Sequence, residues 1–259
     1  MKIIVCIKQV PDAKDVRLDP ITNTLAREGV QSIMNPYDQY ALEEAVRLKE
    51  KCGGEVTVIS MGPPQAEEVL RQAISCGADS AVLISDRAFA GADTWATAYT
   101  LEHAIKKIGN FDLILCGKQA IDGDTAQVGP GLATRHGIPY ITCVQRIRAT
   151  TETGLIAERM MDDGFDVVAV DYPALLSVVK DINEPRVPSI KGKMKAKKAE
   201  IVRLNAQTIE ADPACIGLPG SPTKVVNVFP PQARGVRSVL TGTLDEQIDQ
   251  LVEKLLPYL

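Results

Sequence analysis

Histidine and aromatic residues are scarce in this sequence, and paired cysteines are missing. It has two histidines, one tryptophan, 4% aromatic residues and no C-x-x-C pair. Cys6, Cys52, Cys76, Cys116, Cys143 and Cys215 are scattered, and four of them lie in or beside apolar stretches. That usage fits buried thiols in a reducing cytoplasm, not a disulfide framework. His103 and His136 fall in helix-like segments among polar neighbours, which fits surface or capping roles and puts neither beside a nucleophile. There is no G-x-x-x-x-G-K-[ST] loop, no G-x-G-x-x-G after a strand, no H-E-x-x-H and no G-x-S-x-G elbow. These absences argue against a metal centre and against side-chain acid–base or nucleophilic catalysis. They favour a protein that positions a cofactor whose own chemistry carries the reaction. No run reaches the roughly 18 apolar residues of a membrane span. Met1–Lys8 is too short for a signal peptide and reads as a first buried strand, so a cytoplasmic location is expected. A net charge of −4 offers no basic field for nucleic acid.

What is present is a core-forming pattern. The chain has 259 residues, 45% of them hydrophobic, enough for one large domain or one domain with an extension. Lys2–Ile7, Val56–Ser60, Ala81–Ser85 and Asp112–Cys116 are nearly all apolar, as strands are when helices cover both sheet faces. Between them lie helix-like segments, Pro36–Lys51, Pro64–Cys76 ending at Gly77, and Asp93–Ile108 ending at Gly109. The alternation predicts an α/β fold with a doubly wound, mostly parallel sheet. Ile141–Arg148 and Leu155–Met160 read as a hairpin through Glu152-Thr153-Gly154, and Ala174–Lys180 as a buried strand returning to the main sheet. From about Glu200 to Gly242 the periodicity fades, and Pro213, Pro219, Pro222, Pro230 and Pro231 interrupt any long element. The expected division is an α/β domain over residues 1–200, then an arm and terminal helix over 201–259 with little core of their own. In that helix Leu244, Ile248, Leu251, Val252 and Leu255 form one stripe, suited to its own domain or to another chain.

The most informative stretch follows the Asp112–Cys116 strand. Gly117, Lys118, Gln119, Asp122, Gly123, Asp124, Thr125, Ala126, Gln127 and Val128 make a strand-to-helix loop at the carboxyl end of a strand, where open α/β sheets bind ligands. Small residues there let backbone N–H groups approach a phosphate, with the next helix N-terminus adding a favourable dipole. That helix starts either with Pro130 as its first residue or earlier, through a capping box of Asp124 and Gln127. Asp122 and Asp124 would repel phosphate and are expected to orient the loop or bind hydroxyls. Asn35 is expected to cap the helix that begins at Pro36.

Taken in order, several stretches resemble the beta subunit of electron-transfer flavoproteins. They are Val5–Val10, Met34–Tyr37 leading into Leu42–Glu50, Met61-Gly62-Pro63, Gly77-Ala78-Asp79, Gly117–Asp122, Asn183–Arg186 and Met194–Lys198. The resemblance implies a heterodimer with an alpha subunit that carries FAD, and AMP or a second FAD in this chain. The implied nucleotide site includes Cys6, Asn35, Tyr37, Asp38, Met61 and the loop Gly117–Val128. The implied docking loop for a partner flavin dehydrogenase runs through Arg186, Val187, Pro188, Ser189, Ile190, Lys191, Gly192, Lys193, Met194 and Lys195. Asp86–Thr97 and Asp122–Pro130 resemble the electron-bifurcating subgroup, which implies FAD over AMP, NADH as hydride donor, and ferredoxin or flavodoxin as a low-potential acceptor. Ala92, Asp93, Thr94 and Thr97 are the expected additional flavin contacts. The lysine-rich Lys191–Lys198 stretch resembles the non-bifurcating form at least as closely. A more distant alternative, an ATP-binding module of the universal-stress type, lacks the Gly-Lys-Gln-Ala-Ile-Asp loop and the long arm.

Overall fold

The computed structural model describes residues 1–12, 17–18, 25–26, 32–226 and 238–258. Thirteen strands and six helices follow in chain order among these residues. They are β1 (Lys2–Cys6), β2 (Gln9–Pro11), β3 (Arg17–Leu18), β4 (Leu25–Ala26), β5 (Ser32–Met34), α1 (Pro36–Cys52), β6 (Glu55–Met61), α2 (Glu67–Ser75), β7 (Ser80–Ile84), α3 (Thr94–Ile108), β8 (Leu113–Gly117), α4 (Val128–His136), β9 (Tyr140–Thr150), β10 (Gly154–Met160), β11 (Phe165–Asp171), β12 (Ala174–Val178), α5 (Ile190–Lys198), β13 (Val202–Leu204) and α6 (Leu244–Leu255).

Nine strands form one sheet in the order β11-β10-β9-β12-β8-β1-β6-β7-β13. From β9 to β13 every neighbouring pair is parallel, and β9-β10-β11 continue as an antiparallel extension. The chain builds outward from β1 through β6 and β7, then crosses back to place β8 on the other side of β1. The strand order therefore reverses between β1 and β8, the point at whose carboxyl ends open α/β sheets place a ligand crevice.

The continuous apolar runs have the expected cause. Ile3, Val5, Leu113 and Leu115 face α1 and α2, while Ile4 and Ile114 face α3 and α4, and all six are 3% exposed or less. A strand buried on both faces has no polar side to alternate with. Helix ends follow local chemistry. Asp93 caps α3 by accepting from the Trp95 and Ala96 amides at 2.9 and 3.1 Å. Gly137 closes α4 in the left-handed region, where a residue without a Cβ pays no steric penalty.

Several expectations need correction. α4 begins at Val128, earlier than Pro130, and Gln127 occupies the cap position without a side-chain cap. Asp124 accepts instead from the Gln119 side chain, which removes it from any capping box. β11 joins the hairpin as a third strand that the sequence reading lacked. The docking segment is a loop only as far as Ser189, whose hydroxyl caps α5 by accepting from the Gly192 amide at 2.9 Å. The first part of the arm also has a core contribution. β13 extends the sheet, and Ile209 and Ile216 are 3% and 2% exposed beneath α3 and its neighbours. Burying one such side chain is worth roughly 1.5–3 kcal/mol, enough to seat this proline-interrupted segment without a helix. Pro230 and Pro231 lie outside the described residues. α6 has no buried residue, and its capping box of Thr243 and Glu246 supplies its local order.

Candidate functional site

The crevice between β1 and β8 is organised by the first turn of α1. Asp38, 6% exposed, accepts the Lys8 amide through Oδ2 at 2.8 Å and the Gly117 amide through Oδ1 at 3.1 Å. One carboxylate thus ties together the ends of both strands that flank the reversal. Burial pushes its pKa up to about 7 despite hydrogen bonds from Asn35, Lys8 and Gly117. A Cβ on Gly117 would stand 2.5 Å from Asp38 Oδ1 and 2.6 Å from the Tyr37 carbonyl carbon, so only glycine permits this approach.

Asn35 sits at the cap position of α1 but makes no side-chain cap, contrary to expectation. Its amide donates to the Gln119 carbonyl at 2.9 Å, and its Oδ1 accepts the Ile121 amide at 3.1 Å. Both of its polar ends are spent holding the loop after β8, a stronger demand than capping because that loop has no ladder of its own. Lys8 Nζ reaches Asp122 at 2.7 Å across the mouth. Asp122 and Asp124 are therefore engaged with Lys8 and Gln119.

The same loop carries backbone strain where a ligand would meet it. Asp124 and Ala126 both have φ of 54°, left-handed values that cost a non-glycine residue of the order of 1 kcal/mol or more. Beyond them, the amides of Thr125, Ala126, Gln127, Val128 and Gly129 have no hydrogen-bond partner among the described residues. Gly129 packs against the Cys116 thiol, where a Cβ would come within 2.9 Å, and so draws the start of α4 down onto β8. A run of free N–H groups at a helix start, brought close to a strand end by small residues, is a cradle for a phosphate or pyrophosphate. These residues fit an adenine-nucleotide or flavin cofactor.

Cys6 and Cys116 are register partners on β1 and β8 and lie half-buried at the crevice floor. Burial, and then the Asp38 charge, raises the Cys6 thiol to about 12, and burial likewise raises Cys116. Both are neutral lining groups and poor nucleophiles. Met61 ends β6, the other neighbour of β1, and is half-buried. Ala92, Asp93, Thr94 and Thr97 stand farther along the rim, above β7 and at the start of α3. The Thr94 and Thr97 hydroxyls have no partner among the described residues, whereas the Asp93 carboxylate is fully engaged.

The segment expected to dock a partner is held from beneath by α1. Arg186 pairs with Glu43 at 2.8 Å and with Glu50 at 2.6 Å, and the Asn183 amide donates to Glu44 at 3.0 Å. Burial opposes ionisation of Glu43, but the Arg186 and Arg47 hydrogen bonds outweigh it and hold the carboxyl below its ordinary range. Beyond this clamp Val187 and Ile190 are 86% and 82% exposed. Sequence reasoning missed three groups at the rim: Lys8 as the partner of Asp122, and Ser221 and Thr223 as partners of Asp93. Nothing in their local sequence marks them, because each acts on a residue more than 100 positions away. His103 is likewise more than a surface group, with Nδ1 donating to the Ile209 carbonyl at 3.1 Å.

Comparison with known proteins agrees with this arrangement. Residues 22–209 match the electron transfer flavoprotein domain, which covers more than half of the chain. An electron transfer flavoprotein subunit beta from Thermoanaerobacterium thermosaccharolyticum is 52% identical over 256 residues, 98% of each chain. CarD, a subunit of the caffeyl-CoA reductase-Etf complex of Acetobacterium woodii, is 49% identical over 257 residues, again 98% of each chain. FixA from Bradyrhizobium diazoefficiens is 46% identical over 264 residues, covering 98% of this chain and 91% of the relative. With its strand reversal, its glycine-lined loop and this likeness along nearly its whole length, the chain belongs to the family of electron transfer flavoprotein beta subunits.

Proposed function

We propose that the crevice between β1 and β8 holds FAD and that the chain works in an electron-bifurcating flavoprotein. The observation that carries this reading is the run of unpartnered amides from Thr125 to Gly129, beside a strand end that only Gly117 allows the chain to cover. The likeness of Asp86–Thr97 and Asp122–Pro130 to the bifurcating subgroup supports the choice of FAD. The relation to CarD, named for a reductase complex, supports service to an acyl-CoA or related dehydrogenase.

The chemistry that a flavin would supply there is acceptance of a hydride from NADH and division of the electron pair between the alpha-subunit FAD and a low-potential acceptor, ferredoxin or flavodoxin. The protein's part is to bind and orient. The amides of Thr125–Gly129 and the α4 dipole meet the pyrophosphate. Asn35 and Asp38 fix the loop that carries those amides, and the thiols of Cys6 and Cys116 stay protonated and inert beneath. Thr94 and Thr97 offer hydroxyl donors at the rim. The exposed side chains from Val187 to Met194, ringed by Lys191, Lys193 and Lys195, dock the dehydrogenase. The uncovered stripe of α6 packs on the alpha subunit, and the assembly is cytoplasmic.

One observation favours AMP as a second reading. Gly91 faces Leu218, whose Cβ would lie 3.2 Å from an added Cβ, so the small residues at 90–92 are partly roofed by the chain itself. Anaerobic titration of the purified heterodimer with NADH separates the two. Bleaching of flavin absorbance is expected for the bifurcating form; an assembly whose flavin stays oxidised in excess NADH contradicts it.

A further inference from the structure

Asp86 and Asp93 stand at the two ends of the loop between β7 and α3, and each divides its carboxylate in the same way. Asp86 Oδ1 accepts from the Ala88 amide in its own loop at 3.0 Å, while Oδ2 accepts from Ala206 in the arm at 3.1 Å. Asp93 Oδ1 caps α3, while Oδ2 accepts from the Thr223 amide and hydroxyl at 3.0 and 2.9 Å. The Asp93 amide in turn donates to the Ser221 hydroxyl at 2.8 Å. Between these two points the Leu218 amide donates to Ala90 at 3.0 Å. Gly217 passes so close to Ala88 that a Cβ would stand 2.0 Å from its carbonyl oxygen. Ile209 and Ile216 root the same segment in the core. Farther along the sequence, α6 carries an apolar face that the domain leaves uncovered.

We infer that residues 206–223 form a clip that sets the shape of the 86–93 loop, and that Asp86 and Asp93 are positioning residues for the cofactor without touching it. This rests on the reading that the rim at Ala92–Thr97 borders the cofactor. Asp93 cannot serve as a ligand contact while both its oxygens are filled from the protein. It acts by joining the start of α3 to the arm, so an arm pulled out of place loosens the rim. The arm from Ala206 to Thr223 and the loop that borders the cofactor are thus one mechanical unit.

The test uses the purified heterodimer carrying S221A and T223V together, which removes both hydroxyls of the clip and leaves the α3 cap intact. T223S, which keeps its hydroxyl, is the conservative control. Size-exclusion chromatography and alpha-site flavin content should match wild type. Release of the beta-site nucleotide should be about tenfold faster, the scale of one or two hydrogen bonds to a charged group. Amide exchange at Ala88, Trp95 and Ala96 should rise in the same variant and stay at wild-type rates in T223S. If the double variant fails to assemble, D93N decides. Its amide presents one acceptor and one donor, so it serves the cap or the arm but not both, and faster release is again expected. Unchanged release together with unchanged exchange overturns the clip. A wild-type heterodimer without any beta-site nucleotide would sink the reading of the crevice instead, and amide exchange would still decide the clip.

Discussion

Lys8 and Asp122 form a salt bridge across the mouth of the crevice, with Nζ 2.7 Å from Oδ2. It joins the end of β1 to the loop that carries the free amides. The two side chains are 47% and 32% exposed, so the pair is worth no more than about 1 kcal/mol and acts as a latch, not a support. K8M should leave unfolding stability within that margin while speeding release of the beta-site nucleotide. Because exposed pairs are screened, release from wild type should quicken with added salt and release from K8M should respond less. Equal salt responses would show that the latch has no hold on the loop.

Gly117 offers a sharper perturbation. Its alanine variant forces a Cβ to within 2.5 Å of Asp38 Oδ1 and 2.6 Å of the Tyr37 carbonyl carbon, backbone and buried carboxylate that cannot swing aside. Overpacking of this kind costs roughly 1–3 kcal/mol. Thermal unfolding of G117A should fall accordingly, and the beta-site nucleotide should be depleted while the alpha-site flavin stays bound.

Asp38 should leave a signature in pH. Its folded pKa of about 7 lies above the ordinary 3.8, so the native state holds the proton more tightly than the unfolded chain does. Its contribution to stability is full below the ordinary value and is lost as pH rises through about 7. D38N is neutral throughout. Chemical unfolding of both proteins across that window should show wild type losing roughly 4 kcal/mol relative to D38N as pH rises. A constant difference would mean that Asp38 is charged throughout.

Much of this fold was legible because burial on both sheet faces writes itself as unbroken apolar runs. β1, β6, β7 and β8 were each located within a residue or two by that signal. β11 was not, since Phe165, Val167 and Asp171 leave one of its faces exposed and no core pattern marks it. Glycines and the strand-to-helix position pointed to the Gly117–Val128 loop. The role of Asn35 was not legible, because capping and loop-holding ask for the same side chain at the same place. The seat of the 205–223 segment was hidden too. Its order comes from Asp86, Asp93 and Tyr99, residues more than 100 positions upstream, and not from any period of its own.

Arg186 makes the docking segment testable. R186M leaves Glu43, whose side chain is 5% exposed, with Arg47 as its one charged partner beside the backbone amide of residue 186. A loss of about 1–3 kcal/mol is expected from the missing charged hydrogen bonds, together with slower electron delivery to the partner dehydrogenase. Charge reversal at Lys191 and Lys193, both exposed, should slow delivery without a change in stability. Stopped-flow reduction of the partner measures the first, and urea unfolding the second.

The last helix separates folding from assembly. α6 buries no side chain in its own domain, so I248E with L251E should shift unfolding of this chain by no more than about 0.5 kcal/mol. Association with the alpha subunit should be lost, as sedimentation would show. A heterodimer that survives both substitutions would move the contact elsewhere.

The most direct measurement is the cofactor content of the purified heterodimer, with nucleotides released by denaturation and quantified by chromatography for wild type and G117A side by side. Two FAD per wild-type heterodimer are expected, falling to one in G117A. One FAD and no second nucleotide in wild type, or two FAD unchanged by the substitution, would contradict a cofactor held between the carboxyl ends of β1 and β8.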